Sequence, residues 1–249
     1  MNILDKIVAN TKAKVSIAKE KVSLDDLVST IHSNKIVKSK FKASLKDKDQ
    51  AIIAEIKKAS PSAGVISENF DPVTKAQEYE AFGASALSIL TEEDYFLGST
   101  QYLKDVKKIS KLPILRKDFI VDIYQIYESK LIGSDCILLI ASILSDEELN
   151  DFTKLADTLE LDYIIEVHNE DELKRVQDFS EAIIGVNNRD LKSFMVDIEN
   201  SIRLKQLFNQ DNLFVAESGI KGQSDINKLL RNGINIFLIG ESLMKGDFV

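Results

Sequence analysis

The 249-residue sequence predicts an α/β fold, a closed (βα)8 barrel of the TIM type preceded by an extra N-terminal helical segment. Three observations lead there. Eight short apolar runs recur from Ala51 onward, each ending in polar residues. Capped helical stretches separate them, at the spacing of successive strand–helix units. The rival architecture, an open doubly wound sheet, usually carries a GxGxxG loop after its first strand, and the sequence has none. Near-continuous apolar strands joined by helices imply a parallel sheet covered on its outer face, and eight of them imply closure. A single domain is expected over 1–249, with 1–50 as a helical extension and 51–249 as the barrel.

Residues 2–21 read as an amphipathic helix, with Leu4, Ile7, Val8, Val15 and Ala18 as a loose apolar stripe. Ser23, followed by Asp25 and Asp26, opens a second helix. The lysine-rich stretch from Ser33 to Gln50 reads as a connection with one helical turn. The first apolar run, AIIAEIK (51–57), ends in Glu55 and Lys57. Residues two apart in a strand share a face, so these opposite charges point one way while Ala54 and Ile56 point the other. The remaining runs are SALSILT (85–91), LPILRKD (112–118), CILLIAS (136–142), DYIIEVH (162–168), AIIGVNN (182–188), LFVAESG (213–219) and IFLIGES (236–242). Asp71 caps a helix that has Pro72 at its first position and Gly83 as its stop. Asp122 opens another, which Gly133 ends. Ser145 before three acidic residues, and Asn169 before Glu170, Asp171 and Glu172, open two more. None of the three prolines, Pro61, Pro72 and Pro113, needs to lie in the middle of a central strand.

Composition narrows the function. No apolar run approaches the roughly 18 residues of a membrane span, and the N-terminus lacks the apolar core of a secretion signal. The single cysteine, Cys136, can form no intramolecular disulfide, and a cytoplasmic location is expected. The net charge of −8 argues against nucleic acid as a partner. Lys104, Lys107, Lys108 and Lys111 lie close together, but helical spacing scatters them over a solvated surface. An anionic substrate therefore needs a local cluster of cations, not a global field.

A barrel of this kind carries its site at the C-terminal ends of its strands. Glu55 and Lys57 end the first run, Arg116, Lys117 and Asp118 the third, and Glu166 and His168 the fifth. Asn187, Asn188 and Arg189 end the sixth, and Glu217 and Ser218 the seventh. Any one of these is an ordinary loop charge or a structural ion pair. Five runs with polar groups at the same end point to a shared site. The last two runs lead into ESGI and GESLM, where Gly219 and Gly240 let backbone N–H groups approach an anion. A short helix from Glu241 adds its N-terminal dipole. Loops after strands 7 and 8 are the usual phosphate site of this fold; the competing reading is a pair of tight turns.

The segments IIAEIKKASPSAG, LTEEDYFLGS, PILRKDFIVD, EVHNEDEL, IGVNNRDL, AESGI and IGESLM resemble indole-3-glycerol phosphate synthases, in the same order and over essentially the whole chain. The resemblance implies ring closure, decarboxylation and dehydration of 1-(2-carboxyphenylamino)-1-deoxyribulose 5-phosphate, with no cofactor and no metal. It implies Lys117 as the general acid at the ketone oxygen, a role that suits a desolvated lysine of lowered pKa among other cations. It implies Lys57 as proton donor in the dehydration, and Glu166 as a base or as a stabiliser of positive charge on the aniline nitrogen. The division of acid and base work between Lys57 and Lys117, and between Glu55 and Glu166, stays open. Asn187 and Glu217 match residues that hold sugar hydroxyls and the lysines, and Arg189 one that orients the carboxylate side of the substrate. Ser60, Ser218, Gly219, Gly240, Glu241 and Ser242 match the loops around the anionic groups, with the Glu241 side chain turned away. Phe119 and Leu191 match the lining of the aromatic pocket. His168 receives no role beyond a hydrogen-bonded strand end, and Cys136 none beyond buried filler.

The resemblance also places the N-terminal helix over the barrel mouth; the alternative is a plug in the barrel bottom. It implies a shortened last helix, because the chain stops at Val249, and hence a weakly held seam between the last and first strands. It implies a monofunctional chain, a small phosphorylated substrate and weak association with other tryptophan-pathway enzymes, with no nucleic-acid or membrane partner. Two rival readings remain: a Schiff-base aldolase with Lys117 as nucleophile, and a catalytically inert barrel kept for binding.

Overall fold

A computed structural model of the chain describes residues 2–190 and 194–248. The eight apolar runs form eight parallel strands: β1 (Ala51–Ile56), β2 (Ala86–Leu90), β3 (Ile114–Lys117), β4 (Cys136–Ile140), β5 (Asp162–Val167), β6 (Ile183–Asn187), β7 (Phe214–Glu217) and β8 (Ile236–Ile239). Each pairs with its neighbours in sequence and β8 pairs with β1, which closes the barrel. Alternate residues build two layers of core. Ile53, Leu115, Leu138, Ile164, Val215 and Leu238 fill the interior, while Ile52, Leu87, Ile137, Ile165, Ile184 and Phe237 lie beneath the surrounding helices. Both faces are buried, which is why the strands read as unbroken apolar runs. Cys136 is one of the interior residues, as expected.

The helices are α1 (Ile3–Lys21), α2 (Leu24–His32), α3 (Phe41–Leu45), α4 (Pro72–Phe82), α5 (Thr100–Ile109), α6 (Ile123–Ile132), α7 (Asp146–Thr158), α8 (Glu170–Val176), α9 (Glu199–Leu207), α10 (Gln223–Leu230) and α11 (Glu241–Lys245). The caps read from the sequence form. Asp71 accepts from Val73 N and Thr74 N, Asp122 from Tyr124 N, and Asn169 from Glu172 N. Ser145 and Glu148 complete a capping box, as do Ser23 and Asp26. Gly83 and Gly133 take the left-handed conformation that ends α4 and α6.

One expectation gains detail and one is corrected. The stretch from Ser33 to Gln50 is a connection with one helical turn, and that turn joins the core. Its helix α3 places Phe41 and Leu45, both fully buried, against Ala51, Cys136 and Ile236 at the N-terminal end of the barrel. Asp162, at the start of β5, accepts from Ser39 Oγ (2.5 Å) and Lys42 N (2.8 Å) and pins the entry of α3. The plug in the barrel bottom is therefore α3, which leaves α1 free for the other end. The seam between β8 and β1 is also fully made, with Ala51, Ile52, Ile53 and Ala54 in register with Ile236, Phe237, Leu238 and Ile239. The short last helix is offset by packing: Leu243 and Met244 join the outer core, and the Phe248 ring stands edge-on to Phe82 of α4 at 6.1 Å.

Candidate active site

Strand parity decides which of the polar strand ends reach the mouth. Glu55 on β1, Lys117 on β3, Glu166 on β5, Asn187 on β6 and Glu217 on β7 share the inward parity and line one cavity of about 760 Å³. Arg116 and Asp118 flank Lys117 and take the opposite parity. Arg116 is buried in the wall, where Nη2 pairs with Asp118 (3.0 Å) and Glu128 (2.8 Å) and Nη1 donates to Gln125 O and Ser129 Oγ. Asn188 likewise faces the wall, accepting from Ser201 N and Oγ. Arg116 and Asn188 thus fasten strand ends to helices, and their reading as members of the mouth cluster is corrected; Asp118 holds Arg116 and Thr91 and still borders the cavity.

The inward set forms two ion-paired groups. Lys117 Nζ donates to Glu166 Oε2 at 2.7 Å and to Glu217 Oε2 at 2.9 Å, joining three strands. Lys57 Nζ donates to Glu55 Oε1 at 2.6 Å. Asn187 Nδ2 donates to Glu166 Oε1 at 3.2 Å, and Asn187 Oδ1 accepts from Arg189 N at 3.0 Å. Glycines make room for the carboxylates. A Cβ on Gly240 would stand 2.3 Å from Glu55 Oε1, and one on Gly185 would stand 2.2 Å from Glu217 Oε1.

The electrostatics overturn one expectation. Burial works to lower the pKa of Lys117, but Glu166, Glu217 and Glu55 override it, and the ammonium is held well above its ordinary value. The expected lowering assumed neighbouring cations; the neighbours are carboxylates. Burial opposes ionisation of Glu166 too, yet Lys117 and His168 hold its carboxyl below the usual range. Glu217 goes the other way. Burial, with Glu166 and Glu55 nearby, pushes it up to about 7 against the pull of Lys117.

The loops form the rim of the cavity. Ser218 and Gly219 are both left-handed, with φ of 68° and 82°, and the strain at Ser218, of order 1–3 kcal/mol, is the kind that collects at ligand sites. Gly240 precedes α11, whose first N–H groups have no acceptor within the helix. Ser242 donates to Ile220 O at 2.8 Å and ties this loop to the one after β7. Glu241 lies in the cavity wall, where Lys245 (2.7 Å) and Arg189 (3.4 Å) take up its charge. Ser60 sits in a short antiparallel hairpin, Ala59–Ser60 with Gly64–Val65, and its Oγ accepts from Ala63 N at 3.2 Å. Phe119 lines the apolar side of the cavity with Phe96, their ring centroids 6.0 Å apart. Leu191 lies outside the described residues.

The N-terminal helix takes the position over the mouth that the resemblance implies, while several other lining residues were not singled out from the sequence. Ile3, Leu4 and Ile7 of α1 line the cavity from above, so α1 lies over the mouth. Lys14 pairs with Glu93 (2.9 Å) and Asp94 (2.7 Å) in the loop after β2, and Lys19 with Asp122 (2.7 Å) in the loop after β3. In the first of these loops Glu92 is buried and accepts from Asp94 N, Tyr95 N and Phe96 N, which sets Phe96 in place. Lys221 and Lys245 add cations to the rim. The EED of LTEEDYF was the only signal for this loop.

Among the described residues no group of three or more His, Cys, Asp or Glu side chains is arranged to hold a metal ion, and no helix is long and apolar enough to cross a membrane.

This geometry can be set beside known proteins. The family model for indole-3-glycerol phosphate synthase matches residues 4–249. The chain belongs to the indole-3-glycerol phosphate synthase family. An indole-3-glycerol phosphate synthase of Ruminiclostridium cellulolyticum is 50% identical over 98% of this chain and 94% of its own length. One of Clostridium acetobutylicum is 49% identical over 98% and 92%, respectively. Among solved structures, the tryptophan synthase A-subunit of Pyrococcus furiosus matches with a TM-score of 0.60 at 15% identity, over 79% of this chain and 89% of that one. A chain of the tryptophan synthase complex of the same organism matches with a TM-score of 0.57 at 16% identity, over 79% and 88%. Identities that low speak to the barrel fold alone. As an indole-3-glycerol phosphate synthase family member, the chain is a carbon–carbon lyase of tryptophan biosynthesis. It converts 1-(2-carboxyphenylamino)-1-deoxyribulose 5-phosphate into indole-3-glycerol phosphate, carbon dioxide and water.

Proposed function

We propose that this chemistry is divided between the two ion-paired groups of the mouth. Lys117 gives its proton to the ketone oxygen as the ring closes. Loss of carbon dioxide restores the aromatic ring, and Lys57 then protonates the departing hydroxyl while Glu55 takes the ring proton. Glu166 stays ionised and stabilises positive charge on the aniline nitrogen. Glu217 and Asn187 hold the lysine and the sugar hydroxyls. The observation that carries this reading is the bridge from Lys117 to Glu166 and Glu217, in a cavity that Arg189, Lys221 and Lys245 also line. Carboxylates that hold Lys117 as an ammonium keep it a proton donor at working pH, and they disfavour the neutral amine a Schiff-base nucleophile needs. Phosphate is received by the loops of Ser218–Gly219 and Gly240–Ser242 with Ser60, and the substrate carboxylate by Arg189. The aromatic ring lies against Phe119. Closure of α1 over the mouth excludes water and strengthens the charges beneath it. A cytoplasmic location and weak association with other enzymes of its pathway complete the reading, which the biosynthetic role of the family supports.

The test is turnover of the carboxyphenylamino-deoxyribulose phosphate, read by indole fluorescence. Lys117→Ala should lower kcat by about 10²–10⁴-fold, the usual weight of a positioned acid. Full activity in that variant, or a borohydride-trapped adduct on Lys117, would refute the assignment.

A further inference from the structure

Behind Glu166 lies a polar cluster to which the catalytic reading gives no task. His168 follows Glu166 by two residues, so both project to the same side at the end of β5. The imidazole sits between two carboxylates and does not line the cavity. Its Nε2 is buried 3.3 Å from Glu166 Oε1, at an angle that makes no hydrogen bond, and its Nδ1 lies 3.1 Å from Glu172 Oε2. Glu172, on α8, is itself fixed. Its Oε2 accepts from His168 N at 2.8 Å and its Oε1 from Asn169 Nδ2 at 2.7 Å. Asn200, on α9, donates to His168 O at 3.0 Å. Lys117 lies on the far oxygen of Glu166, and Asn187 donates to the near one.

An ionised carboxylate only accepts hydrogen bonds, so Nδ1 beside Glu172 carries a hydrogen. A lone pair on Nε2 would be buried facing the lone pairs of Glu166 Oε1. A proton there replaces that repulsion with attraction between opposite charges. Burial alone would lower the histidine's pKa; the two carboxylates beside it, Glu166 and Glu172, raise it to about 10.

We propose that His168 is a positioning residue for the family's reaction, an imidazolium anchored by Glu172 that keeps the Glu166 carboxylate ionised and aimed at the reacting centre. The proposal rests on the assignment of Glu166 to the catalytic set. Positive charge on the aniline nitrogen needs an anion opposite it. When substrate draws Lys117 to the ketone oxygen, Glu166 loses its nearest cation. His168 then remains as the charge that holds the proton off Glu166, and Asn187 alone would hold only its geometry.

The chain has two histidines, His32 and His168, so a His32→Gln background leaves one reporter. In that protein ¹⁵N NMR should show both ring nitrogens of His168 protonated from pH 6 to about 9. Adding Glu172→Gln should lower its titration midpoint by roughly one pH unit or more, as should Glu166→Gln. His168→Asn should lower kcat roughly tenfold with KM within roughly twofold, the split expected when the transition state alone loses stabilisation. The acidic limb of its kcat profile should move to higher pH, because Glu166 then takes a proton more readily. A neutral His168 at pH 7, or a His168→Asn protein with lowered Tm but unchanged kcat and acidic limb, overturns the proposal. Full activity in Glu166→Gln would instead remove Glu166 from the catalytic set. The NMR midpoints separate the two failures, since they read the histidine without any turnover.

Discussion

Gly240 and Gly185 show how a hydrogen atom in place of a methyl group governs the chemistry. Each lies where a Cβ would collide with a site carboxylate, and neither has a positive φ, so the requirement is space and not backbone freedom. Gly240→Ala should fold, because the colliding atom is the end of the Glu55 side chain, at a cost of about 1–3 kcal/mol for overpacking. Glu55 would be pushed from Lys57, and kcat should fall at least about tenfold. Wild-type turnover in Gly240→Ala would show that the Glu55–Lys57 pair is dispensable. Stability should also depend on pH with a sign set by these residues. His168 binds its proton more tightly folded than unfolded, so its contribution is complete below about 6.5 and is lost as pH rises towards about 10. Glu217, raised from 4.5 to about 7, acts in the same sense, its contribution lost as pH rises through that interval. Glu166 acts oppositely, with a contribution that is complete above 4.5 and lost in acid. The Tm should therefore fall between pH 7 and 10, and His168→Asn should flatten that fall; a parallel curve for the variant would contradict the assignment.

At the scale of elements, the two ends of the barrel are closed by different helices with different tasks. Helix α3 is fastened from below by Asp162 and buries Phe41 completely. Phe41→Ala should cost about 3–5 kcal/mol, seen as a lowered denaturation midpoint, while kcat at 25 °C stays unchanged. Helix α1 is held over the mouth by exposed ion pairs such as Lys14 with Asp94, worth about 0.2–1 kcal/mol each. Lys14→Ala should hardly move the Tm but should raise KM, because it loosens the cover and leaves the core intact; an unchanged KM would mean that α1 does not gate the site. The caps of α4, α6, α7 and α8 were legible in the sequence because a side-chain cap is decided within three residues of chain. The role of α3 was not, although Phe41 and Leu45 have helical spacing, because the lysines around them mask an apolar stripe of two residues.

For the whole molecule, closure depends on the ends of the barrel sequence. Phe248 packs on Phe82 of α4, so Phe248→Ala should cost about 0.5–1.5 kcal/mol and a few degrees of Tm. An unchanged Tm would leave the closure to the β1–β8 ladder alone. The barrel was readable without coordinates, because eight apolar runs buried on both faces can be satisfied only by a sheet wrapped in helices and closed on itself. So was the inward pairing of Glu55 with Lys57, since strand alternation is strictly local. The same alternation, applied to the third run, would have set Arg116 apart from Lys117. Family membership, and with it the reaction, was likewise carried by linear motifs. Tertiary structure alone decided which charges meet. Lys117 finds Glu166 and Glu217 from strands 49 and 100 residues away. The role implied for Lys117 suited a lysine among cations; the fold surrounds it with carboxylates and reverses the direction of its pKa. Local order depends on neighbours in the chain, whereas a protonation state depends on every charge within a few ångströms in space.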